Sequence, residues 1–95
     1  LATAAVVLST QAAHAQSADD YVDAGIEKGK RGDFKGAIAD YCKAIEINPQ
    51  YANAYKNRGI AKELVRDLKG ACADWRKASS LGDQDAAGWV RDQCQ

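Results

Sequence analysis

Histidine and proline are almost missing from this chain of 95 residues, with one of each. The single histidine, His14, lies in an opening stretch that reads as an export segment, so the rest of the chain has no imidazole for general-base catalysis or metal ligation. The single proline, Pro49, suits a helical chain, since proline breaks helices and removes a backbone donor. An excess of either charge is missing too. Thirteen Lys+Arg face thirteen Asp+Glu, so no net field draws in nucleic acid or an acidic surface. No apolar run approaches the roughly 20 residues that cross a membrane. The three cysteines, Cys42, Cys72 and Cys94, lack the close paired spacing of a zinc knuckle or a redox Cys-x-x-Cys. Gly25, Gly29 and Gly32 follow no strand, which argues for helix packing rather than a phosphate loop. Asp19, Asp20 and Asp23 suit the positive end of a helix better than an acid and base pair. The expectation is a non-enzymatic chain without cofactor or metal, and not a nucleic-acid binder.

What the chain does have is internal repetition. Shifted by 34 residues, Gly25 falls on Gly59, Asp33 on Asp67, Lys35-Gly36-Ala37 on Lys69-Gly70-Ala71, and Lys43-Ala44 on Lys77-Ala78. A constant offset at small residues marks stacked units, each with an apolar face that only a neighbour can cover. In the first unit, 18–51, Ala37, Ile38, Tyr41, Ala44, Ile45 and Ile47 recur near a 3.6-residue period, with Lys35, Asp40, Lys43 and Glu46 on the remaining surface. Gly32-Asp33 supplies a turn and a cap, and Pro49 ends the second helix. The second unit, 52–85, follows the same plan, with Trp75 for Tyr41 and Asp83 for Pro49. Residues 86–95 start the pattern again, Ala86 matching Ala52 and Trp89 matching Tyr55, and read as a closing helix. The fold expected is all-α: an α-hairpin solenoid of two helix-turn-helix repeats plus a C-terminal closing helix.

These residues resemble the tetratricopeptide repeat (TPR) family over roughly 18–95. One repeat supplies Tyr21, Gly25, Ala37, Tyr41 and Pro49, and the next Tyr55, Gly59, Ala71 and Trp75. Departures fall at the family's leucine, where Ala24 and Arg58 stand, and at its tyrosine, where Lys28 and Lys62 stand. Residues 70–88 also resemble Sel1-like repeats, another α-hairpin solenoid. The resemblance implies a binding role. In such repeats the first helix of each hairpin lines an inner groove, here Asp19, Val22, Ile26, Lys30, Asn53, Lys56, Asn57, Ile60, Glu63 and Leu64, with Arg91 from the closing helix. The apolar members would hold side chains of a peptide, and Lys56, Asn57 and Arg91 would bond its main chain or carboxylates. Some family members clamp acidic chaperone tails. Asn57 and Arg91 match two clamp places, but Val22, Ile26 and Ala87 stand where the clamp wants Lys, Asn and Lys, which argues against that ligand.

The first residues follow another logic. "LATAAVVL" is apolar, Ala13-His14-Ala15 fits a small-x-small cleavage site, and no charged residue precedes Asp19. Residues 1–15 are expected to be the end of a secretory signal segment, the alternative being an alanine-rich helix on the first repeat. Export to a bacterial periplasm or the exterior would permit disulfides. Cys72, beside the packing Ala71, should then meet Cys94 of the closing helix. The alternative is two ordinary thiols. Cys42 is expected to point to solvent, as a tolerated thiol or as a link between copies. Two functions are weighed: a module binding a peptide or protein segment in its groove, and a self-associating structural subunit of the cell envelope, a homo-oligomer joined through stack ends or Cys42. Neither places an integral membrane segment in the mature chain.

Overall fold

The computed structural model describes residues 16–95, so His14 and the expected export segment lie outside the described residues. Five helices occur among the described residues: α1 (Ala18–Lys30), α2 (Phe34–Ile47), α3 (Ala52–Leu64), α4 (Leu68–Ser80) and α5 (Gln84–Gln93). Each packs chiefly on its neighbours in sequence, while α1 and α3 touch only lightly. The result is an all-α helical repeat solenoid.

Side chains fix where each helix begins. Ser17 and Asp20 form a reciprocal capping box at α1, with Ser17 Oγ accepting from the Asp20 amide at 3.1 Å. Asp33 and Asp67 each accept a backbone N–H three residues on, both at 2.9 Å, so the repeat offset extends to the caps of α2 and α4. Gly32 leaves α1 with φ +84°, the left-handed conformation that a residue without Cβ adopts at little cost. Its counterpart after α3 is Arg66, with φ +68°. The second hairpin therefore makes the same turn with a side chain that resists it.

The core is made of alanines around a few large side chains. Val22 and Tyr41 are buried with Ala37, Ala44, Ala54 and Ala61, and Trp75 with Ala71, Cys72, Ala78 and Ala86. Small residues let the helices close in until the glycines become necessary. A Cβ at Gly25 would stand 2.5 Å from the Tyr41 ring, and one at Gly59 2.5 Å from Trp75 Nε1. Trp75 is 1% exposed, and truncation of so large a buried side chain to alanine costs about 3–5 kcal/mol.

Asp40, expected on the polar surface, is buried instead, as is its counterpart Asp74. Each meets a lysine from the first helix of its hairpin, Lys28 Nζ at 3.0 Å from Asp40 and Lys62 Nζ at 3.1 Å from Asp74. The lysines at the family's tyrosine position are thus partners of buried carboxylates. A second link repeats alongside: Lys43 lies over the Tyr21 ring at 5.7 Å and Lys77 over the Tyr55 ring at 5.9 Å.

The closing helix differs from expectation by two residues. It starts at Gln84, and Asp83 at its N-cap accepts the Ala86 amide at 2.8 Å. Ala86, aligned by sequence with Ala52, takes the place of Ala54, each being the third residue of its helix and fully buried. The turn after α4 is shorter because Leu81-Gly82-Asp83 does the work that Asn48 to Tyr51 do after α2.

Candidate functional site

Some residues of the groove stripe line a cavity, others are committed within the chain, and Asn57 does both. A cleft of about 220 Å³ opens where the end of α1, the start of α2 and the last turns of α3 converge. Lys30, Asn57, Ile60 and Leu64 line it together with Phe34 and Tyr41. Helix α2 packs on both α1 and α3, which touch each other only lightly. Its lining is predominantly apolar, and Leu64 remains 53% exposed. Phe34, Ala37 and Tyr41 belong to the second helix of the hairpin, so a stripe drawn on first helices alone misses that side of the wall. The signal was present at Phe34, the first residue after the Asp33 cap and the chain's single phenylalanine.

Four proposed groove contacts have other partners. Val22 is 2% exposed and packed in the first hairpin's core, out of reach of a ligand. Lys56 Nζ sits 3.4 Å from Asp83 and 3.5 Å from Asp85, pinning α3 to the first turn of α5. Asn57 Nδ2 donates to the Asn53 carbonyl at 2.9 Å and to its side chain at 3.1 Å, one turn back along α3. Asp19 accepts the Tyr51 hydroxyl proton. That bond, followed by partial burial, raises the Tyr51 pKa above its ordinary value of 10.0. Ile26 and Glu63 are half-buried, while Arg91 is exposed near the end of α5.

Behind the stripe lies a charged network that the sequence did not announce. The Arg58 guanidinium grips Asp74 with two bonds, Nε to Oδ2 at 2.9 Å and Nη2 to Oδ1 at 2.7 Å, beside Lys62. Its remaining arm donates to Cys42 Sγ at 3.3 Å. The Asp74 hydrogen bonds outweigh burial and raise the Arg58 pKa further above its ordinary value. Cys42 is therefore half-buried beneath Arg58 rather than turned freely to solvent. At the far end the Cys72 and Cys94 sulfurs are 2.08 Å apart, with their Cα atoms separated by 5.7 Å.

Among the described residues no three His, Cys, Asp or Glu side chains are grouped to hold a metal ion, and no described helix is long and apolar enough to cross a membrane. Fold and cleft together define an α-hairpin repeat protein with an inter-repeat groove. The family model described as TPR repeat matches residues 29–64, from the end of α1 through α3. Over that segment the chain is similar to tetratricopeptide repeats. No curated protein matches it.

Proposed function

We propose that this protein binds a peptide or protein segment in the groove between its first helices, without catalysing a reaction. The likeness of residues 29–64 to the TPR repeat supports a protein-interaction role. The observation that carries the finer reading is the apolar cleft at Phe34, Ile60 and Leu64, a concavity open to solvent that the chain's own helices leave unfilled. Its volume of about 220 Å³ is below the roughly 300–1,000 Å³ of a small-molecule site, and suits one large side chain of an extended or helical segment. Selection from a random peptide library tests it. Selected peptides should lose binding to Leu64→Asp, whose side chain is exposed and whose replacement leaves the core intact. Peptides that bind the variant unchanged would move the site elsewhere.

Export belongs to the same proposal, and the closeness of Cys72 and Cys94 supports it, because a bridge between them would persist in an oxidising compartment. The bridge would close a loop spanning 22 residues and stabilise the stack by about 3 kcal/mol on the chain-entropy account. One titratable thiol per denatured, non-reduced chain is the expected count. Three would remove the bridge. Self-association through Cys42 is less favoured, because that sulfur lies under the Arg58 guanidinium.

A further inference from the structure

A chain of zero net charge can still be polarised, and this one is. The ends of α1 and α3 and the starts of α2 and α4 share one edge. There Arg31, Lys35, Arg66 and Lys69 are all exposed, and none has a carboxylate within 4.0 Å among the described residues. Of the carboxylates there, Glu27 pairs with Lys30, Asp33 and Asp67 keep their charge while capping helices through the amides of Gly36 and Gly70, and Glu63 is half-buried, so these four cations exceed the three remaining carboxylates by one. The opposite edge carries Asp19, Asp20, Asp83 and Asp85 in the caps and first turns of α1 and α5, the last two sharing Lys56. The apolar cleft opens at the basic edge. Just beyond Leu64 in sequence, Val65 and Leu68 are also exposed, at 38% and 46%.

We propose that this edge selects acidic segments: a partner peptide seats one large apolar side chain between Phe34, Ile60 and Leu64, and lays flanking aspartates or glutamates on Arg31, Lys35, Arg66 and Lys69. The inference rests on the groove reading and names the ligand class. Charge complementarity at a rim speeds encounter and rejects basic competitors, while the buried apolar anchor supplies most of the residence time. The cations involved lie at the hairpin tips, away from the stripe along the first helices. An anionic lipid surface has the same charge, but the apolar atoms line a concavity here rather than a protruding ridge, which favours a side chain over a bilayer.

Fluorescence anisotropy with three short labelled peptides tests this. One alternates leucine or phenylalanine with acidic residues, the second replaces its acids by lysine, and the third replaces its apolar residues by serine. The acidic apolar peptide should bind at least tenfold more tightly than either control and weaken as salt rises. The double variant Lys35→Glu/Lys69→Glu, whose circular dichroism should be unchanged because neither lysine makes an ion pair, should lose about tenfold in affinity. Leu64→Ser should weaken binding at every salt concentration. If the lysine peptide binds equally well and Leu64→Asp abolishes it, the groove reading stands and the charge selection is wrong. If no peptide binds, both fall. Sedimentation with phosphatidylglycerol vesicles, or a concentration-dependent dimer lost in the double variant, would assign the edge to lipid or to a second copy and overturn the proposal.

Discussion

Where the first hairpin carries Ala24 and Tyr41, the second carries Arg58 and Trp75, and the two hairpins are held differently as a result. In the first, the Lys28 ammonium is close to Asp40 Oδ2 but poorly aligned, so that buried oxygen accepts no hydrogen bond. In the second, Asp74 receives a two-point grip from Arg58 and an ion pair from Lys62. The difference follows from position in the stack. The second hairpin faces α2 on one side and α5 on the other, and Arg58 reaches the α2 residue Cys42 as well as the α4 residue Asp74. A residue that ties three helices is useful only where three helices meet. The stack is thus two similar units of unequal duty, each with an apolar core and a buried carboxylate, the second adding the two-point grip of Arg58.

Removing each carboxylate should separate the two hairpins most strongly. Asp74→Ala leaves Arg58 and Lys62, both largely covered, without their counter-charge and should cost about 3 kcal/mol. Asp40→Ala removes a poorly aligned partner from a Lys28 side chain that is 35% exposed, and should cost about 1 kcal/mol. Urea unfolding midpoints of the two variants measure the contrast. Equal losses would mean that Arg58 contributes nothing beyond the pair shared by both hairpins.

The turns offer a smaller, opposite effect. Gly32 and Arg66 hold the same left-handed place, but only one of them is suited to it. Arg66→Gly should stabilise the chain by about 1 kcal/mol, and Gly32→Ala should destabilise it by a similar amount. Thermal midpoints moving in opposite directions would bear this out. Because Arg66 is also one of the tip cations, a stabilised Arg66→Gly protein with weakened binding of acidic peptides would show a residue retained for charge at the expense of backbone comfort.

The turns at Gly32-Asp33 and Pro49 were legible in the sequence, and so were the helix pairs, because each rests on local signals: an aspartate after a glycine, a glycine after an apolar period, a proline. Gly25 with Gly59 and Tyr41 with Trp75 recur at the repeat offset, but that each ring lies over its glycine comes from the structure. What stayed hidden depends on side chains that meet across helices. Asp40 looks like a surface residue until Lys28, twelve positions earlier, is known to reach it. Val22 fits a helical stripe but lies on the side of it that faces α2, and periodicity alone gives the stripe without its edges. Lys56 looked free for a ligand because its partners, Asp83 and Asp85, belong to a helix that starts two residues early.

The smallest effect expected is one of pH, and it too separates the hairpins. Burial first, and then the neighbouring Asp40 charge, raise the Tyr41 pKa above its ordinary value of 10.0, whereas Trp75 at the same place does not titrate. A raised phenol pKa means that the folded state favours the neutral ring. The stability this represents is fully present below pH 10, the unfolded value, and declines as pH rises from there toward the higher folded value. Tyr51 shares the direction through its bond to Asp19, so the comparison belongs in a Tyr51→Phe background. In that background, urea midpoints measured at pH 9, 10 and 10.5 should fall more steeply with Tyr41 than with Tyr41→Trp, which makes the first hairpin copy the second. Parallel slopes would place the alkaline loss elsewhere, and would mean that the hydroxyl of the first hairpin's central aromatic ring bears no cost that the indole of the second avoids.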